Sequence, residues 1–248
     1  MLRVFHSFHS RHGIGFQCVV PEHSALFYLG DPHFQGLDGN YFDFTGQPDQ
    51  AYALLVHPDD EIAFIARFGA AYTTGVTHKG NTLLSYKRKG TWVTSIAYSL
   101  SVPSSENEID TVTLLVSASS TALASDSDTQ LEHGSMQLIG SSESVYDEIS
   151  VEATEQGLTT VISFTSRLLD GSITIVPPPA SWSVEESLVD ALTHLNVAID
   201  RLSTSDVEIL DGVLGVSARG LLPSEVRTDD ASFEAIHFVD EELVAQLP

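Results

Sequence analysis

The stretch Gly30-Asp31-Pro32-His33-Phe34 holds the most specific residues in the sequence, and their types could break the Asp31-Pro32 bond. The Asp31 carboxylate can attack its own carbonyl carbon. The leaving nitrogen belongs to Pro32, a tertiary amide that departs more readily once protonated. His33 is placed to donate that proton, a general-acid role. The resulting anhydride is open to hydrolysis, or to capture by a hydroxyl or amine of a partner. The architectural alternative is a tight turn in which Asp31 and His33 hydrogen-bond locally.

Other residue sets carry weaker chemistry. Asp38, Asn40 and Asp43 offer oxygen ligands close enough in sequence to share a calcium ion, although they lack the twelve-residue loop of an EF-hand. A hairpin turn at Asp38-Gly39 explains the same residues. His6, His9 and His12 recur at a spacing that suits one helical face and a metal. Gly13 and Gly15 interrupt such a helix, so an ordered arm or strand is expected instead. Lys79, Lys87, Arg88 and Lys89 form the basic cluster of an acidic chain. They read as a solvated hairpin tip or as a docking site for an acidic neighbouring copy. There is no His-Glu-x-x-His, no Gly-x-Ser-x-Gly and no phosphate loop, so no conventional enzyme is expected. No cofactor is expected either, calcium being the alternative.

The elements that must position these residues are strands. Phe27-Tyr28-Leu29 leads into the Gly-Asp-Pro turn, and Asp38-Gly39 turns the chain into Tyr41–Thr45. On that return strand Phe42 and Phe44 are expected on one side, with Tyr41 and Asp43 on the other. Strands are then expected at 51–56, 62–68, 71–77, 82–87, 91–100, 112–116, 136–139, 149–153, 159–165, 172–176 and 195–199. Turns are expected at 46–49, 57–60, 78–81, 88–90, Gly134, Gly140, Gly157, Asp170-Gly171 and Asp211 to Gly215. One helix is predicted over 184–194. Ser183 and Glu186 form a capping box, and Val184, Leu188, Leu192 and Leu195 recur at helical spacing. The fold class is therefore all-β: an antiparallel β-sandwich of many short strands with one short helix. Residues 1–27 read as an arm or first strands, 28–222 as the β domain, and 223–248 as an acidic tail with a short amphipathic piece at its end.

Composition narrows the partners. The 248 residues carry a net charge of −23, which repels nucleic acid and anionic lipid. Cations, basic proteins or no specific partner remain, and solubility or a salty habitat explains the charge equally. Cys18 is the one cysteine, so intrachain disulfides and multi-cysteine metal sites are excluded. No run approaches the ~18 apolar residues of a membrane span. Histidines and arginines break the first twelve residues before a signal-peptide core forms. A leader, for a secreted protein, is expected to lie upstream or to have been removed.

The chain resembles the von Willebrand factor type D domain, most closely its cysteine-poor root-cap-like relatives. Three islands carry the likeness over roughly residues 28–222. They are Gly30–Phe34 with Asp38-Gly39 and Tyr41–Gly46; Ala53–Val56 through Asp59 to Ile65–Phe68; and Leu195-Asn196-Val197 with Asp211–Gly215. Leu214-Gly215-Val216-Ser217 lacks the Cys and Asn/Asp of the family's late calcium turn. The resemblance implies an extracellular, matrix or cell-surface β-sandwich that assembles or adheres, without turnover chemistry. Some members, and the inter-alpha-trypsin inhibitor heavy chains, cut themselves at the Gly-Asp-Pro-His motif. The expected function is a non-catalytic module that binds neighbouring protein subunits, copies of itself included. The alternatives are self-cleavage at Asp31-Pro32 and a calcium-binding adhesion domain.

Overall fold

The computed structural model describes residues 14–15, 33–35, 41–57, 62–70, 77–78, 81–82, 91–103, 109–123, 129–184, 186–202, 210–218, 225–227 and 241–248. In chain order the strands begin with β1 (Ile14–Gly15), β2 (His33–Gln35), β3 (Tyr41–Thr45), β4 (Gln50–Val56) and β5 (Ile62–Ala70). Next come β6 (Thr77–His78), β7 (Asn81–Thr82), β8 (Thr91–Pro103), β9 (Ile109–Ser117), β10 (Thr129–Gln130) and β11 (Ser135–Gly140). A 3-10 helix over Glu143–Glu148 leads to β12 (Ile149–Gln156), β13 (Thr159–Ser166), β14 (Leu169–Val176) and β15 (Trp182–Ser183). The rest are α1 (Glu186–Leu192), β16 (His194–Leu202), α2 (Gly212–Ala218), β17 (Glu225–Arg227) and α3 (Glu241–Gln246).

The expected all-β architecture forms. One half of the main sheet runs β4-β5-β8-β9-β11-β10, and the other runs β16-β14-β13-β12. They meet where Leu195 of β16 pairs with Val93 of β8. β13 lies three strands from β8 along this path. At about 4.8 Å per strand, a flat sheet would hold them roughly 14 Å apart. Yet the Phe164 ring of β13 lies 5.2 Å from Tyr98 of β8 and 6.2 Å from Phe64 of β5. The sheet therefore folds over on itself into two layers. Ile62, Leu100, Val112, Leu114, Ile162, Ile173, Val197 and Ile199 fill the space between them.

Period-two alternation is the cause. In β13 and β14 every second residue is buried. In β5, Ile62, Phe64, Ala66 and Phe68 face this core, as their alternation predicts. Ile65 is buried as well, on the opposite face, in a second cluster with Ala97, Leu115, Leu123, Leu243 and Leu247. α3 and the residues after it supply the last two and cover that face.

Two expected turns are something else. Asp170-Gly171 lies inside β14, at a register shift against β16. A Cβ on Gly171 would sit 2.3 Å from the Ala198 carbonyl oxygen. The glycine allows a bulge and a close backbone approach, and the reversal falls one step earlier, at Arg167-Leu168. Asp211 to Gly215 is also no turn, because α2 starts at Gly212. Its Val213 and Leu214 are fully buried in the main core, and that burial overrides the poor helix propensity of two glycines. The predicted helix is shorter, ending at Leu192, and β16 starts at His194. α2, α3 and the 3-10 helix join it, where one helix was expected. β8 is thirteen residues long, not a short strand. Its described partners are β5, β9 and β16, whereas Thr82 pairs with Thr77.

Gly212 has φ 85°, and a Cβ there would lie 2.8 Å from the Leu54 carbonyl carbon of β4. Gly212→Ala is expected to lower stability by about 2 kcal/mol, from the left-handed backbone and the crowding together. A urea titration measures it. An unchanged midpoint would show that α2 does not seat against β4.

Candidate functional site

The stretch around Asp31 reaches the structure through a small sheet in which β3 is central. β2 pairs with it antiparallel and β17 pairs with it parallel. His33 is opposite Asp43, and Asp43 is opposite Glu225. The register thus sets the expected proton donor beside an acidic residue, with another on the third strand. Glu225 carried no sequence signal, since its strand pairs with a segment far away in the chain. Asp31, Pro32, Asp38 and Asn40 lie outside the described residues, as do Lys79, Lys87, Arg88 and Lys89, and His6, His9 and His12. Among the described residues no group of three or more His, Cys, Asp or Glu side chains is arranged to hold a metal ion.

An aromatic trio ties this sheet to the main core. Phe44 of β3 packs edge-on against Tyr52 and Phe68, at ring distances of 5.3 and 5.4 Å. Gly46 lies beneath them, and a Cβ there would meet the Phe68 ring at 2.6 Å. The Tyr52 hydroxyl accepts the Gln47 N–H at 2.9 Å, and the Thr91 hydroxyl donates to the Gly46 carbonyl at 2.9 Å. The expected turn over 46–49 is held from both sides. Its Asp49 adopts φ 63° and donates its N–H to Phe68.

A polar cluster elsewhere joins the two layers. Tyr98 of β8 and Ser166 of β13 share a hydrogen bond of 2.7 Å between their hydroxyls. Ser166 Oγ also bridges the turn ahead of β14, accepting the Leu169 N–H at 3.0 Å and facing the Leu169 carbonyl at 2.9 Å. Arg201 of β16 donates to both Asp170 oxygens, at 2.5 and 2.8 Å, and to the Ser166 carbonyl at 2.8 Å. The Arg201 hydrogen bond holds the Asp170 carboxyl below its usual range. Burial pushes the Tyr98 phenol up to about 12. These groups act as a clamp between the layers. Sequence reasoning missed the clamp because its members come from β8, β13, β14 and β16.

One histidine is deeply enclosed. His194 stacks flat on Trp92, with ring centroids 5.1 Å apart and planes 5° apart. Its Nδ1 and the Trp92 Nε1 are buried without a hydrogen-bond partner. Burial pulls His194 down to about 4, and a hydrogen bond with the Leu192 backbone partly opposes that. Trp182, Val184, Leu188 and Leu192 close the apolar cluster around Trp92.

No protein-family model matches the chain, and no curated protein or solved structure matches it. No helix among the described residues is long and apolar enough to cross a membrane.

Proposed function

We propose that this chain is a non-catalytic structural module of an extracellular, cell-surface or filament assembly, and that it works by binding neighbouring protein subunits. The type D-like resemblance is part of the proposal. The observation that carries it is the edge of the second layer. β12 pairs with β13 over its whole length and, among the described residues, with no strand on its other side. Such an edge offers a row of N–H and C=O groups to an incoming strand. Ser150, Glu152, Thr154, Glu155 and Gln156 are exposed along it. Two carboxylates on so acidic a chain disfavour edge-to-edge pairing between identical strands and suit a partner segment bearing Lys or Arg. The chain's own Lys79, Lys87, Arg88 and Lys89 are one source of such a segment.

Crosslinking in native extracts, followed by peptide mapping, tests this. Crosslinks from β12 to another subunit are expected, and Glu152→Lys should reduce them. A monomer without crosslinked neighbours would overturn the proposal, as would turnover of small esters, peptides or glycosides.

The register of His33 against Asp43 favours one second reading, self-cleavage at Asp31-Pro32. Asp43 holds the register position opposite His33, so an acidic residue lies on the strand next to the expected proton donor. An intact-mass spectrum of the native protein under denaturing conditions decides it. Two masses split at that bond, or an adduct on the piece ending at Asp31, support cleavage. A single full-length mass rejects it.

A further inference from the structure

We propose that the outer face of β5, β8 and β9 is an exchangeable seat, which in an assembly receives residues 241–248 of a second copy of this chain. The proposal rests on the subunit-binding reading above and names one of its contacts. Ile65, Ala97 and Leu115 stand opposite one another on three adjacent strands and form an apolar row. That row belongs to a cluster separate from the core between the layers. Leu243 and Leu247, four residues apart, cover it, and both are buried there. The face and the segment are complementary apolar surfaces, and each exposes its apolar side when the other leaves.

The hydrogen bonds that Arg67 and Ser95 make to this segment are long. Arg67 donates to the Val244 and Leu247 carbonyls at 3.5 and 3.4 Å, and the Ser95 hydroxyl donates to the Pro248 carbonyl at 3.2 Å. Arg67 Nε is buried beside them without a partner. α3 spans six residues, too few to persist as a helix in water by itself. Undocking is therefore a local event that leaves the sandwich core intact. A second copy presents the same leucines and the same carbonyls to the same seat, so reciprocal exchange gives up no contact. The 13 residues from 228 to 240 join β17 to α3. Fully extended, a segment of that length spans roughly 45 Å.

Complementation tests this with full-length chains. One variant, Leu243→Asp with Leu247→Asp, keeps the seat and spoils the segment. Another, Ala97→Trp, keeps the segment and blocks the seat. Each alone is expected to sediment as a monomer, and their equimolar mixture as a heterodimer. Should Ala97→Trp fail to fold, a fluorescent peptide of residues 238–248 replaces it. The peptide should bind the folded Leu243→Asp/Leu247→Asp chain at least about ten-fold more tightly than wild type, whose own segment competes. Adding Leu115→Asp should abolish that binding. A mixture that stays monomeric, or a peptide that binds neither chain, overturns the exchange. Native β12 crosslinks that persist in that case would leave the subunit-binding proposal standing, and their absence would remove both.

Discussion

Phe164→Ala is expected to cost about 3–5 kcal/mol of folding stability. Phe164 is buried on β13, and its ring packs against Phe64 and Tyr98 of the first layer. It also rests over the bulge in β14, where a Cβ on Gly171 would meet its ring at 2.8 Å. Truncation removes the ring from both contacts and leaves a cavity at the centre of the fold, which rigid strands on either side cannot close. A urea titration should show a lower midpoint with an unchanged slope, since the surface exposed on unfolding stays nearly the same. Tyr98→Phe is the control. It keeps the ring and removes only the hydroxyl shared with Ser166, so about 1 kcal/mol is expected. Equal losses in the two variants would mean that the clamp, and not the ring packing, holds the layers together.

The features that sequence reasoning recovers are those written in neighbouring residues. Alternation in Ile62–Phe68 and in Thr159–Thr165 identifies strands because one face of each must leave water. Gly134 and Gly157 mark turns because both need positive φ, which they adopt at 75° and 68°. The features it misses depend on residues far away in the chain. Gly171 carries the same local signal as those two turn glycines, yet it serves a close approach to Ala198, which only the pairing of β14 with β16 creates. Ile65 sits with Ala63 and Arg67 on the other face of its strand pattern, and it packs there with Leu243 and Leu247, about 180 residues later. The candidate site divides in the same way. The Asp38-Gly39 signal predicts a hairpin into Tyr41–Thr45, and β3 does pair antiparallel with β2, although His33 lies in that strand and not in the tight turn that its neighbours Asp31-Pro32 suggest. Glu225 reaches the same sheet through a parallel pairing, for which no local pattern exists. The clamp of Tyr98, Ser166, Asp170 and Arg201 has the same long-range origin.

Acidification should reveal His194 as a second determinant of stability. The imidazole is enclosed against Trp92, and burial lowers its pKa from 6.5 to about 4. The unfolded chain, whose histidine titrates near 6.5, therefore takes up the proton first. The contribution of a neutral His194 is complete above pH 6.5, declines as pH falls from there toward 4, and is gone below that. The loss over this window is about 3 kcal/mol. Other groups pull the opposite way. A chain of net charge −23 repels itself at neutral pH, and protonating its surface carboxylates relieves that repulsion as the solution is acidified. The wild-type profile alone would mix the two effects. His194→Phe separates them, because it keeps an aromatic ring against Trp92 and removes the titration. The difference in stability between wild type and variant should shift against wild type by about 3 kcal/mol between pH 7 and pH 4. A difference that stays flat across that range would mean that the ring gains a proton without leaving its place, and that the cluster around Trp92 admits water.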